Sequence, residues 1–171
     1  MTTPDHTFGD IAVTIDESFV ATVEIQRPPH NFSSLPMIYD LASAFEFVDD
    51  APGALAILLA AKARTLCWRR LRRRRRRALI DEKLQGRHLY DEAVRLFSCQ
   101  TPVVAAVQGA AIGGGLGVAA AADFRVGGPG TRMAANFARL GFHHGFGLTV
   151  TLPAIVGQQA ALRMLYTGEL G

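Results

Sequence analysis

Residues 102–122 constrain this 171-residue chain more than any other stretch. Pro102-Val103-Val104-Ala105-Ala106-Val107 is apolar and valine-rich, which predicts a strand. Gln108-Gly109-Ala110-Ala111-Ile112-Gly113-Gly114-Gly115-Leu116-Gly117 follows, and Leu116 to Ala122 reads as a buried, alanine-rich helix. Strand, glycine turn and buried helix together aim unpaired backbone N–H groups at one point, because the first turn of a helix leaves its donors without intrahelical acceptors. Glycines let a ligand or another segment approach the backbone closely. Tight packing alone also calls for glycine, so the turn by itself supports both an anion-binding and a purely structural role.

The remaining pattern is that of an α/β layered domain. Ile11 to Ile15 and Phe19 to Ile25 flank Asp16-Glu17-Ser18 and predict a hairpin. Arg27-Pro28-Pro29-His30-Asn31 breaks the pattern. Ser34 is placed to cap a helix with Pro36 in its first turn, and Leu35, Ile38, Leu41, Ala42, Phe45 and Val48 supply its apolar face. Ala54 to Leu59 reads as a strand covered on both faces. A helix is expected over Asp81 to Phe97, a short strand over Phe124 to Val126, and helical pieces over Leu148 to Ile155 and Gln158 to Tyr166. The length suits a single domain over 1–171.

The N-terminus is polar and reads as lacking a signal peptide. Ala51 to Ala63 is too short to span a bilayer, and glycines and Gln108 break up 102–122. Cys67 and Cys99 have no metal-ligand spacing and fit a reducing cytoplasm. The formal charge is +3, but Arg69, Arg70 and Arg72 to Arg77 supply eight positive charges; without those eight the balance is −5. Nucleic-acid binding through this run is one reading of it, although nothing beyond Trp68 interleaves it with aromatic residues.

The glycine stretch, followed by Ala122-Asp123-Phe124-Arg125-Val126 and by Gly141-Phe142-His143-His144-Gly145-Phe146-Gly147, resembles the crotonase (enoyl-CoA hydratase/isomerase) superfamily from about Val13 to Gly168. The resemblance implies a crotonase-like (ClpP/crotonase) α/β fold with a repeated ββα spiral core. It also implies an acyl-CoA thioester as substrate, a homotrimer or hexamer, and no metal or other cofactor. The family's shared device is an oxyanion hole of two N–H donors that stabilises a thioester enolate. By position Gly114 gives one donor and Trp68 stands where the other belongs. Pro29 and Asn31 fall in the loop that runs past coenzyme A, and Gly113, Gly117 and Phe137 take acyl-pocket positions. The chain ends where members of the family continue through further helices, so those C-terminal helices are expected to be missing.

Two departures stand out. Hydratases of the family carry glutamates at positions taken here by Gly117 and by the Asn136-Phe137 pair, so both carboxylates are absent. His143 and His144 are the substitute acid–base candidates. Tyr90, Asp123, Asn136, Arg139 and His30 each have a possible site role beside a packing or capping one. A binding homologue without catalysis is the alternative reading. The second departure is the anomalous arginine-rich interval at 66–77. Shifting its reading frame forward by one nucleotide yields Cys-Ala-Gly-Ala-Asp-Phe-Gly-Gly-Ala-Ala, the segment the family carries at this point. A frame-shifted stretch restored near Ala78 is therefore expected, and the nucleotide sequence tests it directly.

Overall fold

The computed structural model describes residues 6–62, the backbone of 65–67, and residues 87–171. Trp68 and the run Arg69 to Arg77 lie outside the described residues, as do 81–86 of the predicted second helix. Two sheets form the frame. Strands β1 (His6–Phe8), β2 (Ile11–Ile15) and β3 (Val20–Ile25) pair antiparallel. Helix α1 (Leu35–Asp49) then returns the chain to β4 (Ala56–Ala61), parallel to β3. From β4 onward the chain alternates between sheets: β5 (Thr65–Cys67) enters the second sheet, β6 (Val103–Val107) the first, and β7 (Ala110–Ile112) the second. Strands β8 (Phe124–Gly127) and β9 (Arg132–Ala134) repeat the alternation. Helix α2 (Leu89–Leu96) precedes β6, α3 (Gly114–Ala121) follows β7, and α4 (Leu148–Val156) and α5 (Gln158–Thr167) follow β9. The sheets run β1-β2-β3-β4-β6-β8 and β5-β7-β9. Successive turns thus contribute one strand to each sheet, which is the repeated ββα spiral that the resemblance implies.

The hairpin register pairs Ile11 with Ile25 and Val13 with Val23, which puts all four side chains inside. Ser34 caps α1 by accepting from the Met37 N–H, with Pro36 in the first turn where it blocks no intrahelical bond. Ile38, Leu41 and Phe45 face the sheet and are buried. Strand β4 differs from expectation: Ile57 and Leu59 are buried, but Ala56, Leu58 and Ala60 between them are half-buried. Only its helix-facing side is sealed. The shortest strands, β7 and β9, carry too little pattern to be read from sequence; inter-strand pairing defines them, Ala111 opposite Met133 among others.

The C-terminus of α1 is tied to the entry of β6 by Asp49. Its carboxylate accepts from the Gln100 and Thr101 N–H groups at 3.0 and 2.8 Å and from the Cys99 thiol at 3.4 Å. Partial burial pushes the Asp49 carboxyl up, but these donors outweigh it and hold the group below the usual range. Its contribution to stability is therefore complete above the unfolded carboxylate value near about 4 and is lost as pH falls through the lower folded value. Burial, then the hydrogen bond to Asp49 and the Asp49 charge, push the Cys99 thiol up to about 12. In a Cys67→Ser background we expect Cys99 to stay unlabelled by a maleimide at pH 7 in the folded protein and to react fully in denaturant; rapid native labelling would contradict the contact.

Candidate active site

The glycine turn joins the second sheet to α3. Gly113 has φ 58° and ψ −114°, the mirror image of extended backbone, which a side chain would strain. Its N–H donates to the Ala134 carbonyl at 2.9 Å, fixing the end of β7 against the end of β9. Its own carbonyl accepts from the Gly117 N–H at 3.1 Å and opens the helix. Gly114 is the first helical residue, and among the described residues no acceptor takes its N–H. Gly114 is thus one of the first-turn N–H donors of α3 without an acceptor among the described residues, beside Gly115 and Leu116, with the positive end of the α3 dipole behind it, and it stands where the resemblance puts the oxyanion donor.

Two phenylalanines flank this first turn. Phe146 is buried, at φ +54°, and lies directly over Gly117: a Cβ added at Gly117 would stand 2.2 Å from the Phe146 Cβ. The side-chain space at Gly117, where the resemblance places a hydratase glutamate, is therefore filled by the Phe146 side chain. Phe137, where the resemblance places the second glutamate, is 6% exposed and packs with Leu116 of α3 in a small core between α3, α4 and α5. Tyr90 meets the Phe146 ring edge-on, with centroids 6.0 Å apart, and its hydroxyl abuts Gly145. Burial raises the Tyr90 hydroxyl pKa above its ordinary value, so at neutral pH the group keeps its proton. Nothing in the sequence pattern shows that Phe146 closes on Gly117; the only trace is that glycines flank it on both sides.

Gly117→Ala is expected to lower stability by about 1–3 kcal/mol, because the added methyl group meets the Phe146 Cβ. In the Phe146→Ala background the same change should cost much less. Thermal unfolding of the four proteins of this double-mutant cycle measures the coupling.

The histidines differ from one another. His143 is exposed, and its Nδ1 lies 2.9 Å from the His144 carbonyl. The His144 ring packs edge-on against Phe137 at 5.9 Å, and its Nδ1 is buried with no hydrogen-bond partner among the described residues. Burial, then the neighbouring His143, lowers the His144 pKa against the opposite pull of the Leu165 carbonyl, so the ring is neutral at pH 7. His144 thus sits between Phe137 and Leu165 of α5.

Asn31 is fully buried, at φ 46°; its side-chain oxygen accepts from the Arg27 N–H at 2.9 Å and its own N–H donates to the Arg27 carbonyl. It shapes the loop on which Pro29 and His30 are exposed, with His30 against Phe32. Asp123 accepts from the Val103 N–H at 2.8 Å, and Arg139 donates to the Thr167 carbonyl at 2.6 Å, so both hold element ends. Asn136 is half-buried, just before Phe137. An open cleft of about 780 Å³ lies at the carboxyl ends of β6 and β8, lined by Gln108, Gly109 and Gly127 to Gly130, away from Gly114. Among the described residues no cluster of His, Cys, Asp and Glu could hold a metal ion, and no helix is long and apolar enough to cross a membrane.

The chain is similar to known proteins in sequence and fold. A probable enoyl-CoA hydratase of Bacillus subtilis is 29% identical over 166 residues, covering 93% of this chain and 62% of the relative. A probable enoyl-CoA hydratase of Mycobacterium tuberculosis is 46% identical over 80 residues, 47% of this chain and 31% of the relative. An enoyl-CoA hydratase structure from Geobacillus kaustophilus superposes with a TM-score of 0.81 at 28% identity, covering 96% of this chain and 64% of its own. The chain thus spans less than two thirds of the length of these relatives. The enoyl-CoA hydratase/isomerase profile matches residues 16–170, and with the ββα spiral and the glycine turn in place the chain belongs to that family.

Proposed function

We propose that this protein binds acyl-CoA thioesters and stabilises the thioester enolate at the α3 glycine turn, without the paired carboxylates of a hydratase. The observation that carries this reading is the turn itself: Gly113 is anchored to Ala134, and Gly114 opens α3 with its N–H available. A donor fixed before reaction stabilises the charge that develops on the thioester oxygen at no reorganisation cost. The second donor of the hole would come from the position of Trp68, outside the described residues. Hydration of an enoyl thioester needs a base for water and an acid for Cα. Phe146 over Gly117 and buried Phe137 leave neither glutamate position able to supply one.

The same packing favours a second reading, an acyl-CoA-binding homologue without turnover. Titration with acetoacetyl-CoA separates the two, because this ligand enolises readily and the bound enolate has its own ultraviolet absorption. Binding with the enolate band supports the first reading. Binding without it supports the second. No binding overturns both. Crotonyl-CoA should be hydrated no faster than in enzyme-free buffer.

A further inference from the structure

The loop from Gly141 to Gly147 joins a short 3₁₀ turn (Ala138–Leu140) to α4, and it holds a bulky side chain in a backbone conformation that favours glycine. Phe146 has φ +54°, a region that strains any residue with a side chain. Glycines stand on both sides of it, and Gly147 shares the left-handed conformation at φ +64°. The loop is exposed at Gly141, Phe142 and His143 and is buried at Gly145 and Phe146. Two close approaches permit this inward position. A Cβ at Gly117 would stand 2.2 Å from the Phe146 Cβ, and one at Gly145 would stand 2.3 Å from the Tyr90 hydroxyl oxygen. The ring then meets Tyr90 edge-on and joins the main core. Packing against α2 and α3 thus holds the ring inward, and its own backbone opposes that position.

Gly117 follows Gly114 by three residues, so the two lie on one face of the first turn of α3. The Phe146 side chain therefore fills space next to the turn at which the acyl-CoA reading above places the thioester. We propose that Phe146 is a gate, and that the structure holds it closed. Rotation of the backbone at Gly145 and Gly147 carries the ring outward and relieves its left-handed φ. It uncovers an apolar slot with Gly117 at its floor and Tyr90 as its wall, which takes the acyl chain. An apolar berth for the displaced ring lies outside: Phe97 is exposed, and its Cζ is 3.9 Å from where a Cβ at Gly147 would stand. The inference rests on the acyl-CoA reading and adds the order of events, in which opening precedes capture of the chain. A chain long enough to fill the slot holds the gate open, and coenzyme A without an acyl group leaves it closed. The affinity for acyl-CoA is then lowered by the fraction of molecules that are open.

The test uses the full chain with hexanoyl-CoA and with free coenzyme A, each titrated calorimetrically into wild type and Gly145→Ala. The added methyl group meets Tyr90 in the closed position alone, so this variant favours the open form without emptying any part of the core. Gly145→Ala is expected to bind hexanoyl-CoA at least ~10-fold more tightly, the factor for a form populated at about 10% or less that becomes the main one, with free coenzyme A unchanged. Hydrogen exchange of wild type supplies a second reading that needs no variant: residues 141–147 should exchange faster once hexanoyl-CoA is bound, and not with free coenzyme A. Slower or unchanged exchange there overturns the gate and leaves the acyl-CoA reading standing. So does unchanged affinity in a Gly145→Ala protein that melts as a folded one, or an equal gain for free coenzyme A, which marks general loosening. Failure of both proteins to bind hexanoyl-CoA removes the acyl-CoA reading and the gate with it.

Discussion

Gly114→Pro should keep the fold and lose the enolate. Proline is tolerated at the first position of a helix, where its missing N–H removes no intrahelical bond and its fixed φ already suits the helix. The residue before a proline must avoid the helical region; Gly113, at φ 58° and ψ −114°, does so, in the mirror image of the extended region. The Gly113 N–H to the Ala134 carbonyl is untouched, so the turn keeps its anchor. What disappears is one preorganised donor. Losing such a donor costs about 10²–10³ in rate, or about 3–4 kcal/mol. The bound acetoacetyl-CoA enolate band should fall by a similar factor, while affinity for saturated acyl-CoA changes much less, because a ground-state carbonyl carries little of the charge that the donor serves. An unchanged band in a folded Gly114→Pro protein would move the oxyanion site elsewhere.

Much of this site is legible in the chain. The valine run, the glycine turn and the alanine helix stand in the order that the structure shows, since each is a local property: branched side chains for the strand, missing side chains for the turn, small apolar ones for a helix buried on all sides. The hairpin and the capped α1 are read for the same reason. Strands β7 and β9 escape because three residues carry no period, and only pairing between distant segments creates them. The closure of Phe146 on Gly117 escapes because it joins residues 29 apart and needs a backbone conformation that sequence does not announce for phenylalanine. That Gly117 and Phe137 stand where the resemblance places glutamates is visible in sequence; that the Phe146 side chain occupies the space over Gly117 is visible only in the packing. His143 and His144 are adjacent in sequence but part company in structure, one exposed and one set against α5, since successive loop residues point in different directions.

The largest stability effect is expected at Arg95. Glu92 on α2 is 1% exposed, and its carboxylate is held by Arg87 at 2.9 Å and by Arg95. Arg95 also reaches Glu46 on α1, donates to the Ser43 hydroxyl and stacks over the Tyr39 ring at 5.1 Å, so one guanidinium bridges α1 and α2. Burial pushes the Glu92 carboxyl up, but bonds and charge from Arg87 and Arg95 prevail and hold it below its ordinary value. Arg95→Met keeps most of the stem and removes the charge, leaving a buried carboxylate with only half-exposed Arg87 beside it. Removing one partner of a buried pair costs about 3–5 kcal/mol. In a chain of this length that should lower Tm by roughly 10 °C. The pH dependence identifies the cause. In the wild type the Glu92 contribution is complete above the unfolded carboxylate range near about 4 and is lost as pH falls through the lower folded value. In Arg95→Met the stranded carboxylate titrates above that range, so acid relieves the variant while it weakens the wild type. The gap in Tm should therefore be widest near pH 7 and should narrow steadily toward pH 4. A gap independent of pH would mean that Arg95 contributes packing against Tyr39 and not charge. The double variant Glu92→Gln/Arg95→Met should then be more stable at pH 7 than Arg95→Met alone, since a neutral amide in the same space leaves no buried charge to compensate.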